Sequence, residues 1–227
     1  MRFCRLALIV AGLAAGLQAQ GIHPALSNGV VTYVAEDGRR VEVRIGRRCA
    51  DLWVSPDESV MAFIAIDRSR PAMAGEMEPF VEESTIYVAR KADGFRPLRF
   101  AVDIQLGRRI WHVAREPRLA PDLLTLYFFV PNTMTEWTLV SRPLDEDTYK
   151  TVDYGSDYCV VWGGSRSGDT VILSRVDPQP GDPNGGVRYP CYARQASGQK
   201  TTLASECFAE FDNMARRWAN AGGGSCR

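Results

Sequence analysis

Short apolar runs broken by turn residues fill the chain from residue 30 to residue 203, and little of that stretch carries a helical period. The segments 30–34 (Val-Val-Thr-Tyr-Val) and 41–45 (Val-Glu-Val-Arg-Ile) flank Glu36-Asp37-Gly38-Arg39. An Asp-Gly pair between two such segments predicts a hairpin. Residues 59–66 are almost continuously apolar, as a strand covered on both faces would be. Segments 85–89, 98–104, 110–114, 124–130, 137–141, 158–162, 170–176 and 187–193 continue the series, with β-branched and aromatic residues concentrated inside them.

One segment departs from this pattern. Leu203, Cys207, Phe211, Met214 and Trp218 fall on one face at helical spacing, which predicts a helix over 203–221. Thr202 or Ser205 would cap it, Glu206 and Glu210 sit early, Arg216 and Arg217 late, and Gly222 stops it. Its expected place is over the open end of the β domain, with Cys207, Phe211, Met214 and Trp218 buried and Glu210 and Arg217 in water. The glycine-rich residues 222–227 then read as a flexible tail. The expected fold class is all-β, propeller-like or a related antiparallel β architecture, with one C-terminal α-helix.

Self-comparison sharpens the β reading. Ser55-Pro56-Asp57 leads into 60–66 as Ala120-Pro121-Asp122 leads into 124–130. Cys159, Ser165 and Gly168 stand 110 positions after Cys49, Ser55 and Glu58. Thr85-Ile-Tyr-Val-Ala-Arg90 and Trp137-Thr-Leu-Val-Ser-Arg142 form a second matched pair, with outer copies at 31–35 and 187–189. Units beginning near residues 30, 84, 136 and 186 have a period near 50. A Ser-Pro-Asp turn, an apolar strand and then an Ile-Tyr-Val strand resemble the TolB-type β-propeller repeat. In that family a Pro-Asp-Gly turn joins the two inner strands of each blade. Pro presets the turn, Asp bonds locally and Gly takes the positive φ. Here Glu58 and Leu123 stand in the glycine's place, while 165–168 keeps the glycine and loses Pro-Asp. The resemblance covers roughly 30–203 and implies docking surfaces or accessory domains more than chemistry.

Residues 1–19 read as a signal peptide: Arg2 and Arg5, an apolar run over 6–17, and a small-residue cleavage site ending at Ala19. The expected organisation is a signal at 1–19, a β-repeat domain at 20–203, a capping helix at 204–221 and a tail at 222–227, in a periplasmic or secreted protein. No later run is apolar enough to span a bilayer. Of the 27 basic residues, Arg2 and Arg5 leave with the signal, so 25 face 27 acidic ones. That near balance, without long runs of one sign, argues against nucleic acid as a partner.

Five cysteines remain: Cys49, Cys159, Cys191, Cys207 and Cys226. None forms a Cys-x-x-Cys pair and His23 and His112 are far apart, so no zinc site is expected. In an exported chain they read as one or two disulfides and an odd thiol. Cys191–Cys207 is the expected pair because it brackets a short segment; Cys49–Cys159, matched by repeat position, is the second candidate.

The chemical motifs are sparse. The segment 163–168 misses Gly-x-Ser-x-Gly, and His112 sits on a strand, so a serine hydrolase site is not indicated. The segment 177–185 has oxygen donors suited to Ca²⁺ but no known loop spacing, and no phosphate loop or dinucleotide fingerprint occurs. No cofactor is expected. The insertion at 68–83 carries Glu76, Glu78, Phe80, Glu82 and Glu83, either an interaction loop or a source of paired carboxylates. Two function classes follow. One is a non-catalytic exported protein presenting loops to another exported or envelope protein, or to an envelope polymer. The other is a secreted hydrolase of glycan or peptide using carboxylates of 68–83. A third reading makes the chain a degenerate remnant with a structural role.

Overall fold

The computed structural model describes residues 23–71, 80–100, 104–106, 109–111, 113–131, 137–173, 177–178, 187–195 and 197–227. Residues 1–19, where a signal peptide is expected, Glu76, Glu78, His112 and most of 177–185 lie outside these residues.

Apolar alternation and tight turns build four antiparallel sheets in chain order. The first holds β1 (Ala25–Ser27), β2 (Val30–Val34) and β3 (Arg40–Glu42). The second holds β4 (Cys49–Val54), β5 (Val60–Pro71), β6 (Phe80–Arg90) and β7 (Pro97–Phe100). A ribbon of β8 (Ile104–Leu106) and β9 (Arg109–Trp111) follows. The third sheet holds β10 (Arg115–Leu119), β11 (Thr125–Pro131), β12 (Trp137–Pro143) and β13 (Lys150–Gly155). The fourth opens with β14 (Asp157–Trp162) and β15 (Thr170–Leu173). After a ribbon of β16 (Asp177–Pro178) and β17 (Val187–Arg188), it continues with β18 (Cys191–Arg194) and β19 (Lys200–Ala204). Helix α1 (Phe211–Ala221) comes next, and β20 (Ser225–Cys226) returns to pair with β14.

The sheets stack face to face. Met61, Phe63 and Ala89 pack on Val31 of the first sheet and on Val43 just past it. Their alternates Val60, Ala62, Ile86 and Val88 pack on Leu126, Phe128, Val130 and Val140 of the third. Phe129 and Leu139 meet Tyr158, Val160 and Ile172 of the fourth. Both inner sheets are thus covered on both faces, which is why their central strands read as unbroken apolar runs. Cys159, Val161, Val171 and Leu173 point to the fourth sheet's other face, which Phe211, Ala215 and Ala219 of α1 cover.

In the second and third sheets the turn between the first two strands is the same structure. Ser55 N–H donates to the Val60 carbonyl and Glu58 N–H to that of Ser55; Ala120, Thr125 and Leu123 repeat the arrangement. The Asp57 and Asp122 carboxylates accept N–H groups two residues on, from Ser59 and Leu124. Glu58 and Leu123 hold φ of 55° and 56°, the left-handed conformation that glycine adopts without cost. In the fourth sheet the corresponding turn is longer. Val161 N–H reaches the Asp169 carbonyl across residues 162–168, with Gly168 at φ 88°.

Several sequence expectations are corrected. The helix begins at Phe211; 200–204 is strand β19, paired to β18, because Thr201 and Thr202 favour the pleated surface and Leu203 matched the helical stripe by spacing alone. Its N-cap is Glu210, without a side-chain capping bond, so neither Thr202 nor Ser205 caps it. Residues 222–227 are not a free tail. They carry β20 and the Cys159–Cys226 disulfide, and Gly224 passes so close to Gly163 that an added Cβ would lie 2.4 Å from its carbonyl oxygen.

Cys49 does not pair with Cys159; it is a buried free thiol at the start of β4. The longer fourth-sheet turn breaks the 110-residue match. Ser55 and Val161, which make the equivalent turn bond, are 106 positions apart, so Cys159 corresponds in position to Trp53, not to Cys49. The matched segments 85–90 and 137–142 are also out by one. Val60 pairs with Arg90, whereas its counterpart Thr125 pairs with Pro143. A one-residue slip exchanges the two faces of a strand, so Ile86 corresponds to Leu139, not Thr138.

Candidate functional site

The first strands of the second, third and fourth sheets converge. Tyr158 in β14 donates its hydroxyl to the Glu116 carbonyl in β10, and the Trp53 and Trp162 rings, at the ends of β4 and β14, lie 5.6 Å apart. All three strands start at one end of the array and finish at the tight turns. At the starting end they present three carboxylates, Asp51, Glu116 and Asp157. These positions are equivalent: 65 residues separate Asp51 from Glu116, as they do Ser55 from Ala120. The 41 from Glu116 to Asp157 likewise match Ala120 to Val161.

Local geometry turns the carboxylates together. Pairing shifts between Ala50 and Trp53 and between Arg115 and Arg118 mark β-bulges, and Asp51 and Glu116 hold left-handed φ of 50° and 51° inside them. Asp51 accepts the Glu116 backbone N–H at 3.2 Å, and Asp157 accepts that of Tyr158 at 2.8 Å. Burial, then the charges of Asp157 and Asp51, push the Glu116 carboxyl above its ordinary range, against Arg118 at 3.5 Å. Burial also raises Asp157, opposed by Arg118, with Asp212 adding to the rise. The Arg118 guanidinium also lies 4.8 Å from the ring centroid of the fully buried Tyr158.

A raised carboxyl binds its proton more tightly in the folded state. Below the ordinary carboxyl pKa it costs nothing, and as pH rises through the shifted pKa its ionisation destabilises the fold. Glu116→Gln should therefore be at least as stable as the wild type at neutral pH, with the advantage vanishing in acid. Melting curves between about pH 4 and about pH 8 check this; a variant that loses stability specifically at neutral pH would contradict it.

Strand direction also assigns the loops. The β5–β6, β11–β12 and β15–β18 connections, and those entering β4 and β10, emerge at the carboxylate end. Here β5 and β6 outrun their neighbours as a two-stranded arm pairing up to Pro71 with Phe80, which extends roughly 15 Å at strand rise. Arg68 grips Glu83 across it through both carboxylate oxygens. Phe80 and Glu82 lie on the β6 backbone of the arm. The turns with Ser55, Pro56, Asp57, Ala120, Pro121, Asp122, Ser165 and Gly168 sit at the opposite end. Asp57 is held below the ordinary carboxyl range by the Ser55 hydroxyl first and then by Ser59, a turn-forming role. Cys191 and Cys207 form a disulfide tying β18 to the segment before α1.

The three carboxylates at the strand starts were missed by the sequence reading. Aligning the chain on its tight turns would have stacked Asp51 over Glu116. Among the described residues no group of three or more His, Cys, Asp and Glu is placed to hold a metal ion, and no helix is long and apolar enough to cross a membrane.

No family model matches the chain, and no curated protein does. Solved structures do. The tricorn protease crystal structure aligns with a TM-score of 0.50 at 12% identity, over 81% of this chain and 16% of that one. The β-propeller domain of the Trilobed protease from Pyrococcus furiosus aligns at 0.47 and 10% identity, over 81% of this chain and 52% of that one. The fold is all-β and propeller-like, antiparallel sheets with one C-terminal helix. TolB from Acinetobacter baumannii aligns at 0.44 and 15% identity, over 80% of this chain and 43% of that one. The chain therefore spans from about a sixth to about half the length of these structures. Four sheets is the lower limit for propellers, and here the first has three strands.

Proposed function

We propose that the protein is an exported, non-catalytic binding module that docks another exported or envelope protein at its carboxylate end. The observation supporting this is the coincidence at one end of three equivalent carboxylates and the long connections, among them the β5–β6 arm. Scaffold-mounted loops are where binding residues concentrate. A row of carboxylates, Asp51 exposed and Glu116 and Asp157 half-buried, with Arg118 beside them, suits a partner segment carrying basic residues. Two disulfides fit an oxidising compartment.

Photo-cross-linking in intact cells tests this reading. A photoreactive residue at Ser69, exposed on the arm, should give a discrete protein adduct, and one at Leu124, 57% exposed at the opposite end, should not. Adducts from Leu124 alone, or glycan or peptide hydrolysis abolished by Glu116→Gln, would overturn it.

A further inference from the structure

A cleft of about 350 Å³ opens at the carboxylate end, between the start of β14 and the first turn of α1. Its volume is in the range of small-ligand sites. The walls are Ser156, just before β14, and Asp157 and Leu173 of the fourth sheet, facing Phe208, Phe211 and Asp212.

The polar lining is unbalanced. The Ser156 hydroxyl oxygen is buried without a hydrogen-bond partner. Asp157 spends one oxygen on the Tyr158 N–H, and no donor among the described residues reaches the Asp212 carboxylate. The one cation in the lining, Arg216, is held by its own helix, with Nε donating to the Asp212 carbonyl at 3.1 Å and Nη2 to Asn213 Oδ1 at 3.0 Å. The cleft thus offers the Asp157 and Asp212 carboxylates and the Ser156 hydroxyl above a floor of Leu173 and Phe211. Phe208 stands at its rim, 61% exposed, its ring 5.3 Å from that of Tyr189. An exposed aromatic face beside carboxylates suits a flat cation, and a buried unpaired polar group is a cost that a ligand donor removes.

We propose that this cleft binds the guanidinium side chain of an arginine presented by a partner polypeptide. The apolar stem lies on Leu173 and Phe211, the guanidinium N–H groups donate to Asp157, Asp212 and Ser156 Oγ, and Phe208 covers the planar head. Arginine suits the site better than lysine because its planar fork can serve two carboxylates and stack at once. The inference rests on the reading of the protein as a binding module and names the chemistry of one anchor.

The test uses a short probe, independent of any partner: acetyl-Gly-Arg-Gly-amide titrated into the ¹⁵N-labelled full chain, with the citrulline counterpart as the isosteric neutral control. The arginine probe should shift the amide signals of Ser156, Asp157, Phe208 and Asp212. Citrulline should bind about tenfold more weakly, the loss of one charge-assisted contact. Asp212→Asn, on an exposed first-turn position, should weaken the arginine probe about fivefold to tenfold, and Ser156→Ala less so. Arg217→Ala should leave binding unchanged. Equal binding of the two probes, shifts confined elsewhere, or indifference to Asp212→Asn overturns the assignment. A cross-link from Ser69 with no probe binding leaves the binding module standing and removes the arginine anchor. Probe binding without any cross-linked partner does the reverse.

Discussion

Replacing Gly164 by alanine should cost about 2–4 kcal/mol of folding stability, the sum of overpacking and of a left-handed backbone forced on an L-residue. Gly164 holds φ of 68°, and an added Cβ would lie 2.0 Å from the Gly222 carbonyl oxygen and 2.7 Å from the Gly223 carbonyl carbon. These atoms are backbone, so no rotamer change relieves the clash. The oxygen that must move also accepts the Ser165 N–H at 2.8 Å, so separation breaks the tail's hold on the turn. Gly94→Ala is the control. At φ of 61° with nothing within 4 Å of the added Cβ, it should show the conformational cost alone, about 1–2 kcal/mol. Denaturant melts of the two variants decide the matter, and equal losses would mean the C-terminal segment does not pack on this turn.

The second large effect belongs to α1. Trp218→Ala should cost about 3 kcal/mol and Arg217→Ala less than about 0.5 kcal/mol. Trp218 is partly buried against the fourth sheet; its indole N–H donates to Asp169 Oδ2 at 3.2 Å, and the Arg166 guanidinium sits 3.7 Å from its ring centroid. Asp169 is itself buried, so truncation strips a buried carboxylate of one donor as well as removing the ring. Trp218→Phe keeps the ring and loses the donor, and should fall between, near about 1–1.5 kcal/mol. Small, equal effects of both alanine variants would show that α1 is not seated on the sheet.

Period-2 apolar alternation and turn chemistry made most strands legible, since both are written within a few neighbouring residues. Ser55-Pro56-Asp57 and Ala120-Pro121-Asp122 could be matched because the turn needs those side chains locally. Long-range terms were hidden. The β5–β6 arm sets corresponding residues 65 apart before it and 53 apart after it, so no single period aligns both halves of the unit. The tail read as mobile because three glycines usually signal freedom, yet here their missing side chains are what lets two backbones touch. Cys226 could not be assigned to Cys159 without knowing that β20 returns to β14. The carboxylate row was invisible for a related reason: Asp51, Glu116 and Asp157 share no flanking motif, and only the superposition of three first strands makes them one feature.

The buried thiol of Cys49 bears on how the disulfides come to be correct. The cysteines after residue 19 emerge during synthesis in the order 49, 159, 191, 207, 226. Oxidation in strict order of appearance would join 49 to 159 and strand 226. The native bonds are 159 to 226 and 191 to 207. The core that encloses Cys49 is built from Val31, Val43, Met61, Phe63, Ala89 and Phe95, so it can close 64 residues before Cys159 arrives. Burial also raises the thiol's pKa and withholds the thiolate that exchange requires. Folding of the first two sheets before Cys159 emerges would remove the wrong partner from competition. Cys159 is kept for Cys226, where closing a 67-residue span is worth about 4 kcal/mol in the chain-entropy model.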